Sequence, residues 1–328
     1  MRERKILGVF IIFLLILLLA GCKKDGNTGV GPKETPFIGG KVGFLMSFID
    51  GAPPEEIFDN NQYPFSVAVK LENKGEDDVA QNEGYVKIVG INPPDFNTTA
   101  QLLNKSLPSN LKGSKKNFEG TILDGDTTVV EFNNLNYQPD IAGNFNGPVI
   151  RAELCYNYKT RTSTQICVKE DLLTGLDNKE ICKLSEDKKP QNSGGPIQIT
   201  SSREDPLGTG KVQFSFVVGH VGENNDRFYK KGTNCEDKAT NRDKNVVFVN
   251  MTSDFNGVNP KCEGLQEPSA DSSSGYITLF DKAPRTVVCS LDVSGATGEF
   301  EDLLTVDLEY RYHQFIEKSI LVKDVSTT

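Results

Sequence analysis

The feature that most constrains this chain is an alternation of apolar and polar residues with period two, seen most clearly in a segment that occurs twice. LCYNYKTRTSTQICVKE (154–170) aligns without a gap against LEYRYHQFIEKSILVKD (308–324). Both read Leu-x-Tyr-x-Tyr, then run to Val, Lys and an acid, at a fixed offset of 154 residues from Leu154 to Leu308. A side-chain period of two is that of a β-strand with one face buried, and a helix cannot satisfy it. The alternation recurs at Lys41 to Phe48, Phe65 to Leu71, Tyr85 to Ile91, Thr127 to Phe132, Lys211 to Val218, Val246 to Val249, Tyr276 to Phe280 and Thr286 to Val293. A short helix is expected over Phe96 to Asn104 behind Asp95.

The second strand is also repeated. Phe65, Val67, Val69 and Leu71 correspond to Val212, Phe214, Phe216 and Val218; His220 takes the place of Asn73, Gly222 of Gly75 and Glu223 of Glu76. Both glycines read as turn positions that need positive φ. Two landmarks repeated in the same order point to an internal duplication. The expected fold is all-β, two tandem immunoglobulin-like antiparallel β-sandwiches over 38–170 and 196–328, joined by a linker at 171–195.

Ahead of them stands a different kind of segment. A basic head, Met1 to Lys5, precedes an apolar run from Ile6 to Ala20, closed by Leu19-Ala20-Gly21-Cys22. Fifteen helical residues rise only ~22 Å, short of a ~30 Å hydrocarbon core. The run and its ending resemble the signal peptide and lipobox of prokaryotic lipoproteins. That resemblance implies a signal peptide at 1–21, a diacylglyceryl group on Cys22, a flexible spacer at 22–37 and a place on the outer face of the cytoplasmic membrane. An uncleaved transmembrane helix is the alternative, and either one puts the rest of the chain outside the membrane.

The whole chain carries 36 Lys and Arg against 45 Asp and Glu. Removing 1–21 takes away three bases and one acid, leaving 33 against 44, or −11. An acidic surface disfavours nucleic acid, whose binding needs clustered cations on phosphates. Of seven cysteines, six remain once Cys22 is set aside, an even number in an exported chain, which favours disulfides. Reading 149–169 as a hairpin with its loop at Lys159 to Ser163 places Cys155 opposite Cys167. Cys262 and Cys289 form a second expected pair, leaving Cys182 with Cys235.

No catalytic constellation emerges. His220 and His313 read as exposed turn histidines, with no nucleophile placed near either. The acidic runs Glu76-Asp77-Asp78, Asp124-Gly125-Asp126 and Glu301-Asp302 lack calcium-loop spacing, so neither metal nor cofactor is expected. Asn97, Asn104 and Asn250 begin Asn-x-Ser/Thr glycosylation sequences. Tyr156, Tyr158, Tyr310 and Tyr312 lie on apolar faces and read as core. Residues 93–126 form a long polar insertion, the expected partner surface.

The second-strand motif, ending in Asn-x-Gly-Glu, resembles the immunoglobulin-like CARDB domains of archaeal and bacterial surface proteins over Phe65 to Asp78, and less closely over Val212 to Asn225. Together with the paired tyrosine segments and the lipobox, the chain is similar to uncharacterised archaeal surface lipoproteins. The resemblance implies a membrane-anchored, non-catalytic protein with an adhesion, binding or envelope-structural role and a protein or glycan partner at the cell surface. An exported enzyme or solute-binding lipoprotein is the alternative.

Overall fold

The computed structural model describes residues 35–172, 181–236 and 242–325. The signal segment, Cys22 and nearly all of the spacer lie outside these residues. Pro36–Thr328 is one compact unit. Among the described residues no helix is long and apolar enough to cross a membrane.

The first half contributes β1 (Phe44–Phe48), β2 (Glu56–Phe58), β3 (Phe65–Asn73), β4 (Gly84–Val89), β5 (Asn104–Ser106), β6 (Lys115–Lys116), β7 (Ile122–Leu123), β8 (Thr127–Leu135) and β9 (Phe145–Lys169). The rest supplies β10 (Glu186–Lys188), β11 (Gln191–Asn192), β12 (Ile197–Pro206), β13 (Lys211–His220), β14 (Arg227–Tyr229), β15 (Val246–Ser253), β16 (Lys261–Glu263), β17 (Ser274–Thr278), β18 (Arg285–Asp292) and β19 (Glu299–Lys323). The fold is all-β, as expected, and its sheets are antiparallel except where β2 runs parallel to β19. The expected helix at 96–104 is instead a 3₁₀ turn at Pro93–Phe96 followed by turns into β5.

The main departure from expectation is at the repeated tyrosine segments, which are not hairpins. Each is one uninterrupted strand of 25 residues, and β9 and β19 pair with each other along nearly their whole length. Lys159 to Ser163, expected as a loop, contains no Gly, Pro, Asn or Asp to turn the chain. Its inward positions, Thr160 and Thr162, continue the buried face that runs from Ile150 to Val168.

The register reveals how the duplication is used. Tyr156 pairs with Tyr312, Tyr158 with Tyr310 and Asn157 with Arg311. Moving Tyr156 forward by the repeat offset gives Tyr310, and moving Tyr312 back by it gives Tyr158, which is another pair of the same ladder. The ladder therefore maps onto itself about a local two-fold between Asn157 and Arg311. Other pairings repeat with it: β1-β3-β8 matches β12-β13-β18, and β5-β4-β9 matches β17-β15-β19.

These pairings build a nine-stranded sheet that both halves share, covered by the three-stranded sheet β1-β3-β8 and the five-stranded sheet β10-β12-β13-β18-β16. The ring of Phe44 meets Tyr156 edge-on at 4.8 Å on the first side. On the second, Thr162, Thr164 and Val306 face Ile199, Phe214 and Phe216 around a small void. The expected linker at 171–195 does not separate the halves, because β10 and β11 within it join the sheets.

Three disulfides staple this frame: Cys155–Cys235, Cys167–Cys182 and Cys262–Cys289. The last is the pairing expected from sequence. The other two expectations, Cys155 with Cys167 and Cys182 with Cys235, are overturned. Cys155 and Cys167 lie twelve residues apart on one straight strand, ~40 Å at ~3.4 Å per residue, far beyond disulfide reach. Each is instead bonded to a cysteine from outside the strand.

Candidate functional site

The tyrosines at the two-fold organise the polar chemistry beside it. All four are buried, as expected for core residues, yet every hydroxyl is partnered. Tyr156 donates to Gln314 Oε1 at 3.1 Å, and Tyr310 meets Thr160 Oγ1 at 2.9 Å. Tyr158 donates to the Gly194 carbonyl and accepts the Asp77 N–H, both at 3.3 Å. A Cβ on Gly75 would stand 1.8 Å from that hydroxyl, and one on Gly222 would stand 2.3 Å from the hydroxyl of Tyr312. Close approach of a tyrosine, and not the expected positive φ, is what requires glycine at both places; neither is among the positive-φ residues.

The two equivalent tyrosines meet different chemistry. Tyr312 donates to Asp226 Oδ2 at 2.9 Å and lies 2.9 Å from His220 Nε2. With the tyrosine proton committed to the carboxylate, the imidazole serves as an Nε2–H donor. Burial, with help from the Lys282 charge, pushes His220 down to about 4, and burial raises Asp226. The ring of His220 also stacks on Phe228 at 5.5 Å. His313, expected in a turn, is buried in mid-β19 with Nε2 3.7 Å from Glu153 Oε2. Neither histidine is the exposed turn residue the sequence suggested.

On the Tyr158 side, several segments converge on an open cleft of about 500 Å³. Its walls are Pro36 and Phe37, Glu76 to Asp78, Ser114 to Lys116, Lys159, Arg161 and Ser193. Glu76 accepts N–H groups of Ile38 at 3.0 Å, Gly39 at 2.9 Å and Gly194 at 2.6 Å, tying the start of the unit to the segment before β12. Arg161 forks onto Asp307 at 2.7 and 2.9 Å. Burial pushes Asp77 up to about 6 against the pull of Lys159, whose ammonium is 3.9 Å away. The hydroxyl of Ser193 accepts the Arg161 N–H, and that of Ser114 accepts the Gly125 N–H, so both are engaged by backbone. The cleft offers charges of both signs to a ligand. Asp77 takes a hydrogen bond from the Lys159 backbone, while the Lys159 ammonium stands beyond direct hydrogen-bond distance as an ion pair.

The insertion 93–126 divides in two. Phe96, Leu103, Leu107 and Leu111 are core residues. Beyond them β6 and β7 form a hairpin that pairs with no other strand among the described residues, and at its tip Phe118 is 96% exposed. The sequence singled out the insertion but could not distinguish its anchored part from its projecting part.

Of the glycosylation candidates, Asn97 and Asn104 are exposed, whereas Asn250 is half-buried in β15 between β17 and β19. Among the acidic runs, Asp78 accepts the Gly113 N–H at 2.9 Å and pairs with Lys115 at 3.1 Å. Asp126 accepts the Lys112 N–H at 2.9 Å. Cys167, Cys182 and Glu299 form a close group among the described residues, but both sulfurs are committed to their disulfide.

The groups that sequence reasoning missed are Asp226 beside His220 and Tyr312, and Glu204. The latter is fully buried, accepts the Cys167 N–H at 2.9 Å and pairs with Lys188 at 3.1 Å, and burial pushes it up to about 7. The first had a readable signal: His220 stands where the first copy of the repeated strand has Asn73.

No protein-family profile matches this chain, and no curated protein matches it. Among solved structures it is similar to the collagen binding domain of Erysipelothrix rhusiopathiae surface protein RspB, at 10% identity over 87% of this chain and 90% of that one. The TM-score of 0.13 is too low to carry an argument about fold or function.

Proposed function

We propose that this is a lipid-anchored, non-catalytic protein of the cell surface, held by Cys22 and binding an envelope partner through the cleft at Asp77 and Lys159. The observation that carries the reading is the cleft's construction. A disulfide-stapled frame lines a solvent-open concavity with charges of both signs, walled on one side by residues 114–116 of the insertion. Rigid scaffolds that present a charged concavity are suited to recognition. The CARDB-like and lipobox resemblances point the same way, towards adhesion, binding or envelope structure.

The test has two arms. Cys22→Ser should release the chain from the membrane fraction, and persistence there would sink the anchoring reading. A capture experiment on envelope extracts, with the chain from Lys23 onward as bait, should retain a partner that Lys159→Glu loses. Deleting 93–126 would not serve, since it removes four core side chains. A second reading, an exported solute-binding lipoprotein, draws on the same cleft, whose volume suits a small zwitterion. A thermal shift with such solutes, abolished by Lys159→Glu, would favour it over a macromolecular partner.

A further inference from the structure

The three disulfides stand in different electrical surroundings. Cys262 and Cys289 are buried in the apolar core, with the Cys262 sulfur 3.7 Å from Met251 Sδ. Beside Cys167–Cys182 stands a carboxylate. A Glu299 oxygen lies within 4.8 Å of both sulfurs, and Glu299 also accepts the Cys182 N–H at 2.9 Å and pairs with Lys169 at 3.2 Å. At Cys155–Cys235 the neighbour is a cation: Arg311 Nε donates to Cys155 Sγ at 2.9 Å. Arg311 is buried at the two-fold, where its guanidinium also donates to Asn157 Oδ1 at 3.2 Å and lies 5.6 Å from the centre of the Tyr85 ring. Glu83 acts on it only at a distance.

The two sulfurs of this pair also differ in access. Cys155 is fully buried on β9, whereas Cys235 is half-buried in the segment 230–236 that follows β14. That segment has other holds. Lys231 pairs with Glu309, the residue that takes the place of Cys155 in the second copy of the repeat, and Gly232 N–H bonds Asn157 Oδ1 at 3.2 Å. It is clasped at both equivalent positions of the ladder, by an ion pair at one and a disulfide at the other, so opening the disulfide leaves it a second fastening. Thiol–disulfide exchange favours attack on the accessible sulfur and departure of the sulfur that makes the better thiolate. A guanidinium at hydrogen-bond distance stabilises a thiolate. Both criteria select one direction here: Cys235 is attacked and Cys155 leaves.

We propose that Cys155–Cys235 is a thiol-exchange site, at which a thiol-bearing molecule becomes covalently joined to the protein through Cys235. The incoming thiolate attacks Cys235 Sγ. A new S–S bond forms as the old one breaks, and the electron pair of the old bond leaves on Cys155 Sγ beside Arg311, with no net oxidation or reduction. The inference depends neither on the anchor at Cys22 nor on the cleft.

Glutathione in excess is the probe. The chain from Lys23 onward, which keeps the whole compact unit and lacks the Cys22 thiol, is incubated with it natively, quenched in acid and mapped by mass. The adduct should sit on Cys235 with Cys155 free, and this pair should open at least about ten-fold faster than the other two. An adduct on Cys155 instead, opening of another pair at an equal or greater rate, or no opening at all overturns the proposal. The part assigned to Arg311 is read separately. In Cys235→Ser, Cys155 is the one free thiol, and its ultraviolet thiolate absorbance follows ionisation without a reagent having to reach it. The groups facing it are Arg311 and His313 on β19, Tyr85 on β4, and Glu153, which pairs with His313. Adding Arg311→Met should lower the ionisation constant about ten-fold, and Arg311→Lys, which keeps the charge, should largely preserve it. The same titration in all three proteins would show that Arg311 does not support the leaving thiolate, and would overturn the direction of exchange.

Discussion

The two halves share one strand plan but close their covering sheets differently. In the second half, β18 is not an edge. Strand β16 pairs along it, with Cys262 opposite Cys289 and bonded to it, and β10 covers the other side by pairing with β12. In the first half, β8 and β1 are both edges among the described residues. The equivalent place on β8 is occupied by a single side chain: Lys105 Nζ donates to the Glu131 carbonyl at 2.6 Å and lies over the Phe132 ring at 5.2 Å. An open edge invites pairing with another chain, and a lysine laid across it is a recognised defence. One half thus fastens its edge covalently and the other guards it with a charge. The division extends to the tyrosines. Tyr312 is surrounded by titratable groups, while Tyr158 is held by backbone beside a cleft and a projecting hairpin. Duplication supplied the frame, and the halves then diverged into one that is locked and one that is displayed.

The largest effect should come from unfastening the locked edge. Replacing both Cys262 and Cys289 by Ala opens a loop of 27 residues and should cost about 3 kcal/mol, read from chemical denaturation. If the cost is negligible, β16 is held by its pairing alone and the contrast between edges loses its covalent part.

His220→Asn gives the second half the residue its counterpart carries at Asn73. His220 is held at about 4 in the folded state, below its ordinary value of 6.5, so the unfolded chain binds the extra proton first. Native stability is then full above about 6.5 and is lost as pH falls towards 4. At ~1.4 kcal/mol per unit, discounted for the ring's partial exposure, the acid loss is about 2 kcal/mol. The variant should lack it, at the cost at neutral pH of about 1 kcal/mol for the hydrogen bond to Tyr312. Glu204 runs the opposite way: raised to about 7 from 4.5, it contributes stability that is full below about 4.5 and is lost as pH rises through 7. The His220 effect is therefore the difference between wild-type and variant curves. Parallel curves would show that the His220–Tyr312–Asp226 cluster is not pH-sensitive.

Lys105→Ala should have the smallest effect on the monomer, about 1 kcal/mol or less. Its signature is association: light scattering should show concentration-dependent self-assembly, which Val129→Lys on the same edge reverses. A variant that stays monomeric would mean that β8 needs no guard.

Much of this architecture was legible in the sequence. The alternation placed most strands to within a few residues, and the repeat announced a duplication. The error at 149–169 came from granting each Leu-x-Tyr-x-Tyr segment its own return strand. Yet the buried face runs unbroken on even positions, Ile150 through Tyr158, Thr160 to Thr164, then Ile166 and Val168, with no turn residue between. Threonine is polar enough to suggest a loop and β-branched enough to continue a strand, and here the second property decided. That misreading carried the cysteines with it, because opposed positions on a hairpin become distant positions on a straight strand. The site was less legible. Asp77, Lys159 and Lys115 are far apart in sequence, and only the convergence of several segments makes them neighbours. The exposure of Phe118 could not be read either, since a hydrophobic residue between turn formers looks the same whether it packs or projects.

The pairing of β9 with β19 also dictates an order of events in the life of the chain. Tyr156 reaches its ladder partner Tyr312 and its hydrogen-bond partner Gln314 across more than 150 residues, and Gln314 in turn bonds the Phe44 carbonyl at 2.8 Å. A first half emerging from the ribosome has its cysteines and tyrosines but half of its central sheet is still missing. Contacts so distant in sequence make folding slow and leave β9 unpaired meanwhile. The central sheet of such a chain stays incomplete until residues 299–323 arrive, so its assembly waits on β19.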